Sequence, residues 1–154
     1  MSIFRTALIF LLSVLAGSVL VSIANTHVVL QSLTAVGAEI PAAVRIDAIT
    51  RDLLGFGPTL FAVTLIGFAI AFPVAGWIAR LLGKSWRRIG FTLAGGIAVA
   101  CIMLAITAFY AEALHSTITP VASSRTLPGL LSLTLGGAGA GFLFSLLKPP
   151  AHRR

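Results

Sequence analysis

Four stretches without a single Asp, Glu, Lys or Arg constrain this chain more than any other feature: residues 6–25, 53–79, 89–111 and 126–147. Each supplies the roughly 20 predominantly apolar residues that an α-helix needs to cross about 30 Å of hydrocarbon. A soluble core helix needs no such length, and four of them leave little chain from which to build a separate core. Composition agrees: 58% of the 154 residues are hydrophobic and 10% are charged, where soluble domains carry about 25% charged residues. The expectation is one all-α integral membrane domain over residues 1–154, a four-transmembrane-helix bundle. Its spans should lie near 6–25, 58–79, 89–110 and 128–147.

Arg5 followed by an apolar run and by Ser22, Ile23 and Ala24 has the outline of a signal peptide. The run is about 20 residues, longer than a typical h-region of roughly 7–15, so it is read as the first span.

Lys and Arg are retained on the cytoplasmic side of a membrane, so their distribution orients the bundle. With four spans, the N-terminal tail, the 80–88 turn and the C-terminal tail share one side. They hold Arg5, Arg80, Lys84, Arg87, Arg88, Lys148, Arg153 and Arg154, which are eight of the eleven cations. Arg45, Arg51 and Arg125 fall on the other side with all four acids: Glu39, Asp47, Asp52 and Glu112. The expected arrangement is therefore N-in/C-in, in a cell membrane of the bacterial inner-membrane type. A pI near 11.5 would suggest nucleic acid for a soluble protein. Here the charge sits in short juxtamembrane segments, where it serves topology and anionic headgroups, so no nucleic-acid partner is expected. Trp77, Trp86 and Tyr110 lie near span ends, as interfacial aromatics do.

Residues 26–57 form an extracytoplasmic loop too long for a simple turn. Within it, residues 41–54 read as a short amphipathic helix. Ile46, Ile49 and Leu53 recur at three- and four-residue spacing, Arg45, Asp47, Arg51 and Asp52 make a polar face, and Asp47–Arg51 is an i,i+4 pair. Pro58 and Pro128 sit at tolerated first-turn positions of spans two and four. Pro149 and Pro150 stop the last helix, and Pro73, inside span two, frees the Ala69 carbonyl and should kink the helix.

Small residues recur every fourth position in two spans: Gly67, Ala71 and Ala75, then Gly137, Gly141 and Ser145. Such stripes let helix backbones approach closely where lipid supplies no hydrophobic drive. The two stripes coincide when Pro58 is aligned on Pro128, which also matches Leu60 with Leu130, Thr64 with Thr134 and Phe72 with Phe142. That register would make the bundle two related hairpins.

Chemistry is sparse. The spans lack the intramembrane charges that mark proton relays and ion pathways. Their hydroxyls, Ser13, Ser18, Ser22, Thr64, Thr92, Thr107, Ser132 and Thr134, are expected to bond their own helix carbonyls. Cys101 is the sole cysteine, which excludes an intramolecular disulfide. No His-Glu-x-x-His, Walker loop or Gly-x-Ser-x-Gly is present. Small four-helix families built on cysteine pairs, or on a glutamate inside the first span, are not matched. One polar constellation stands out at the outer boundary: Asn25 and His27 leaving span one, and Glu112 and His115 leaving span three. A His–carboxylate cluster can hold a metal, a quinone or lipid headgroup, or a proton. The residues leave cofactor and metal undefined. The expected function is a non-catalytic packing or accessory subunit of a homo-oligomer or larger membrane complex, with the lipid bilayer as its surroundings. The alternatives are a small membrane enzyme, redox or lipid-binding component using the outer cluster, and a small-solute permease.

Overall fold

The computed structural model describes residues 3–83, 86–113 and 121–148. These form five α-helices, α1 (Ile3–Ala35), α2 (Ala42–Gly55), α3 (Gly57–Leu82), α4 (Trp86–Ala113) and α5 (Leu127–Leu147), with a 3-10 turn at Ala122–Arg125. There is no strand among the described residues. All but α2 are long and apolar enough to cross a membrane, so the chain has the build of a multi-pass membrane protein.

Burial runs opposite to that of a water-soluble bundle. On α1 the large residues Leu8, Leu11, Leu12 and Leu15 face outward, while Ser13, Ser18 and Ser22 are buried. Lipid solvates leucine as well as a core does, so the interior selects for close fit instead of apolarity. α5 packs against α1 on one side and α4 on the other, and α3 bridges α4 and α1. The four long helices therefore form a ring in which chain neighbours are spatial neighbours; at α3–α4 the short connection itself requires this.

Two devices hold the ring. The first is glycine contact between α4 and α5. A Cβ placed on Gly137 would meet Val99 and the Gly95 carbonyl, and one on Gly141 would meet the backbone of Phe91 and Thr92. Thus Gly137 and Gly141 serve packing inside the bundle, and buried Ser145 bonds the Phe142 carbonyl at 2.7 Å. The second is a phenylalanine cluster drawn from all four helices. Phe72 stacks on Phe68 at 4.6 Å between centroids, lies 4.6 Å from Phe144, and meets Phe10 and Phe91 edge-on. Phe142, its partner in the two-hairpin register, faces outward.

The helix boundaries differ most from the sequence reading at the end of α1; α3 and α4 each overrun the expected spans by up to three residues. α1 continues ten residues past Asn25, to Ala35, which makes it about 50 Å long at 1.5 Å per residue. Polarity begins at Thr26, but nothing in residues 26–35 breaks a helix; termination waits for Gly37, whose φ of 92° suits glycine. α3 runs as one helix through Pro73. α5 starts on Thr126, whose hydroxyl accepts from the Gly129 N–H at 3.2 Å, with Pro128 in the first turn. The expected stop at Pro149 and Pro150 lies outside the described residues.

Candidate functional site

The sequence pointed to Asn25, His27, Glu112 and His115. His115 lies outside the described residues. His27 and Glu112 are both exposed, just beyond the uncharged stretches 6–25 and 89–111. Asn25 is partly buried, and its Oδ1 accepts from the Ser123 hydroxyl of the 3-10 turn. Ser123 is itself buried, so this bond fastens the 121–125 segment to α1. Among the described residues no group of three or more His, Cys, Asp and Glu side chains is placed to hold a metal ion.

A different polar group forms at the same end. The Ser22 hydroxyl donates to Asp52 Oδ2 at 2.8 Å, and the Thr26 hydroxyl lies 2.9 Å from the same oxygen and 3.1 Å from the Ser22 carbonyl. Ser22 and Thr26 are four apart and share one buried face of α1. Asp52 comes from the last turn of α2, across the connection. Hydrogen bonds to an ionised group are roughly twice as strong as neutral ones. This carboxylate therefore fastens α2 across α1, even though no residue of α2 is buried. The Arg51–Asp47 pair, at 2.8 Å on the solvent side of α2, is largely exposed and adds little.

Of this group the sequence reading named Ser22, as a hydroxyl expected to bond its own helix, and Asp52, as part of a polar face; it did not join them. The expectation holds at six of the other seven hydroxyls: Ser13, Ser18, Thr92, Thr107, Ser132 and Thr134 all bond carbonyls three or four residues back; it is not shown for buried Thr64. Ser22 departs from it because a carboxylate from another element outcompetes its own helix carbonyl. What this end can do chemically is hold helices in place: it combines one carboxylate, one amide and three hydroxyls, each satisfied by another.

The other feature of functional size lies on the side of the bundle. A groove of about 740 Å3 runs between α3 and α4, lined only by apolar side chains and by Cys101. Its small residues include Gly67, Ala71 and Ala75 from α3, and Gly90, Ala94 and Ala98 from α4. Thus the first predicted stripe borders a groove, whereas the second closes the α4–α5 contact. Gly67 is also spent internally, because a Cβ there would meet the Ile102 side chain. Beside the small residues, Ile66, Ile70, Val74, Ile78 and Leu82 form a ridge at four-residue intervals, each between 41% and 66% exposed. Comparison with protein-family models, curated proteins and solved structures found no match.

Proposed function

We propose that this chain is a non-catalytic membrane subunit that associates in the bilayer with a second copy of itself through the α3–α4 face. The observation that carries the proposal is the self-complementarity of that face. It presents both a groove with small residues and a ridge of large ones at the same four-residue period. Ridges of one helix pack into grooves of another, and a two-fold axis along the membrane normal would set each copy's ridge in the other's groove. The lengths suit a ridge. From Val63 to Leu82 the groove is about 28 Å long at 1.5 Å per residue, and the ridge from Ile66 to Leu82 is about 24 Å long.

Cys101 supplies the test, because it is exposed, lines the groove and is the only cysteine. A short bis-maleimide in membranes should cross-link Cys101 between copies. A Cys101→Ala, Ile23→Cys chain, with its thiol on the outward face of α1, should not cross-link. Native mass spectrometry in mild detergent should show an even-numbered oligomer. A monomer at every protein-to-lipid ratio, with no Cys101 cross-link, would reject the proposal.

The disposition in the membrane belongs to the same reading. The end carrying the α3–α4 turn faces the cytoplasm, as the cation asymmetry supports. α2 lies along the opposite surface as an amphipathic helix, with the face of Ile46, Ile49 and Leu53 turned toward the headgroup boundary and away from the exposed Asp47–Arg51 pair. Reporter fusions in the 80–88 turn and at the C-terminus should both report cytoplasm; an external signal from either one overturns this orientation.

A further inference from the structure

The phenylalanine cluster has a charged base. Where α4 begins and α5 ends, the Arg87 guanidinium donates from Nη2 to the Lys148 carbonyl. It also lies 5.9 Å from the centre of the Phe91 ring. The Lys148 ammonium lies 5.2 Å from the centre of the Phe144 ring, and those two rings are in edge contact at 5.0 Å. The two cations are thus held side by side by contacts to backbone and aromatic faces, neither of which cancels their charge. Both are only partly buried. Arg87 has used one of its five N–H donors on the carbonyl, and the Lys148 ammonium brings three donors of its own. Burial first, then the positive charges of Arg87 and Arg80, holds the Lys148 amine below the ordinary lysine range.

No side-chain acid is available to neutralise this end. The four acids, Glu39, Asp47, Asp52 and Glu112, fall on the α1–α2 connection, on α2 and at the far end of α4. Glu112 is 25 residues along α4 from Arg87, about 38 Å at helical rise. Charges beyond a Debye length of about 8 Å are largely screened. The first turn of α4, the positive end of that helix, also lies at this end of the bundle.

We propose that Arg87 and Lys148, with Arg80 from the last turn of α3 at the same end of the bundle, form a binding site for a phosphate group, supplied from outside the chain. The planar guanidinium gives a two-pronged contact and the ammonium a point charge, the pairing by which phosphate oxygens are commonly held. The position, at the mouths of two spans, suits the headgroup of an anionic phospholipid. Inorganic phosphate offers the same chemistry from solution. This inference does not rest on association through the α3–α4 face.

Thermal unfolding of the intact chain tests the site. It would be measured in nanodiscs of phosphatidylglycerol or phosphatidylcholine, and in neutral detergent with or without inorganic phosphate. The wild type should be protected by phosphatidylglycerol relative to phosphatidylcholine if the source is lipid. Protection by millimolar phosphate in detergent instead identifies a soluble source. In either case Arg87→Gln with Lys148→Gln should weaken binding roughly tenfold or more, as expected for loss of charge-assisted hydrogen bonds. Arg87→Lys should retain part of it. Should Arg87→Gln disturb folding, Lys148→Gln with Arg80→Gln removes charge while leaving the bond to the Lys148 carbonyl in place. Equal protection of wild type and charge-removed variants, or no protection by either anion, would overturn the proposal.

Discussion

Gly141→Ala is the smallest change that should open the bundle. A Cβ at this position would lie 2.8 Å from the Phe91 carbonyl carbon and 3.2 Å from Thr92 Cα, where ordinary contact begins near 3.4 Å. It would be closer still to the Phe91 carbonyl oxygen. Every neighbour is backbone, so no rotamer change relieves the clash; α4 and α5 must separate by about 1 Å or more. Overpacking of this kind costs about 1–3 kcal/mol, against a gain of about 1 kcal/mol from replacing helical glycine by alanine. Gly139→Ala is the control on the same helix. Its Cβ would meet only Leu20 Cδ1, at 3.2 Å, the end of a side chain that faces outward and can turn away. It should therefore be neutral or stabilising by up to about 1 kcal/mol. The two variants should differ by about 2 kcal/mol, which is at least about twentyfold in the ratio of folded to unfolded chain. Equilibrium unfolding in mixed micelles, following the tryptophans, measures that ratio. Equal stability of the two alanine variants would show that the α4–α5 backbones are not in contact at Gly141.

Three further outcomes follow from the same structure. Asp52→Ala should speed amide exchange across α2 while costing the bundle only about 1 kcal/mol, because Ser22 and Thr26 can turn back to carbonyls of α1; unchanged exchange in α2 would mean that the carboxylate does not fasten it. In neutral detergent, stability should rise with pH between the depressed folded value of Lys148 and the ordinary lysine value, since over that window the unfolded chain binds more protons; Lys148→Gln should remove the rise, and an identical profile in the variant would refute the assignment. His27→Gln and Glu112→Gln, at exposed positions, should each stay within about 0.5 kcal/mol of wild type in thermal unfolding, and a larger loss would reveal a contact that neither position shows.

The existence, number and approximate place of the four long helices were determined by the sequence alone. Hydrocarbon thickness sets a length, and charge is excluded over that length, so the pattern is read without knowing what packs on what. The same local logic located α2, the first-turn prolines and the hydroxyls that bond their own carbonyls. It stopped α1 too early, because loss of apolarity marks the edge of the lipid-like stretch while the helix itself ends only at Gly37. Tertiary structure alone decided the rest. Two stripes of the same spacing had different fates: Gly137 and Gly141 meet α4 backbone, while Ala71 and Ala75 border an open groove. Spacing specifies a face, and only the ring order of the helices specifies its neighbour. Asp52 read as part of a polar surface until α2 was laid across α1, where it meets Ser22 and Thr26 from 30 and 26 residues away. Arg87 and Lys148, 61 residues apart, became neighbours for the same reason: α4 begins where α5 ends.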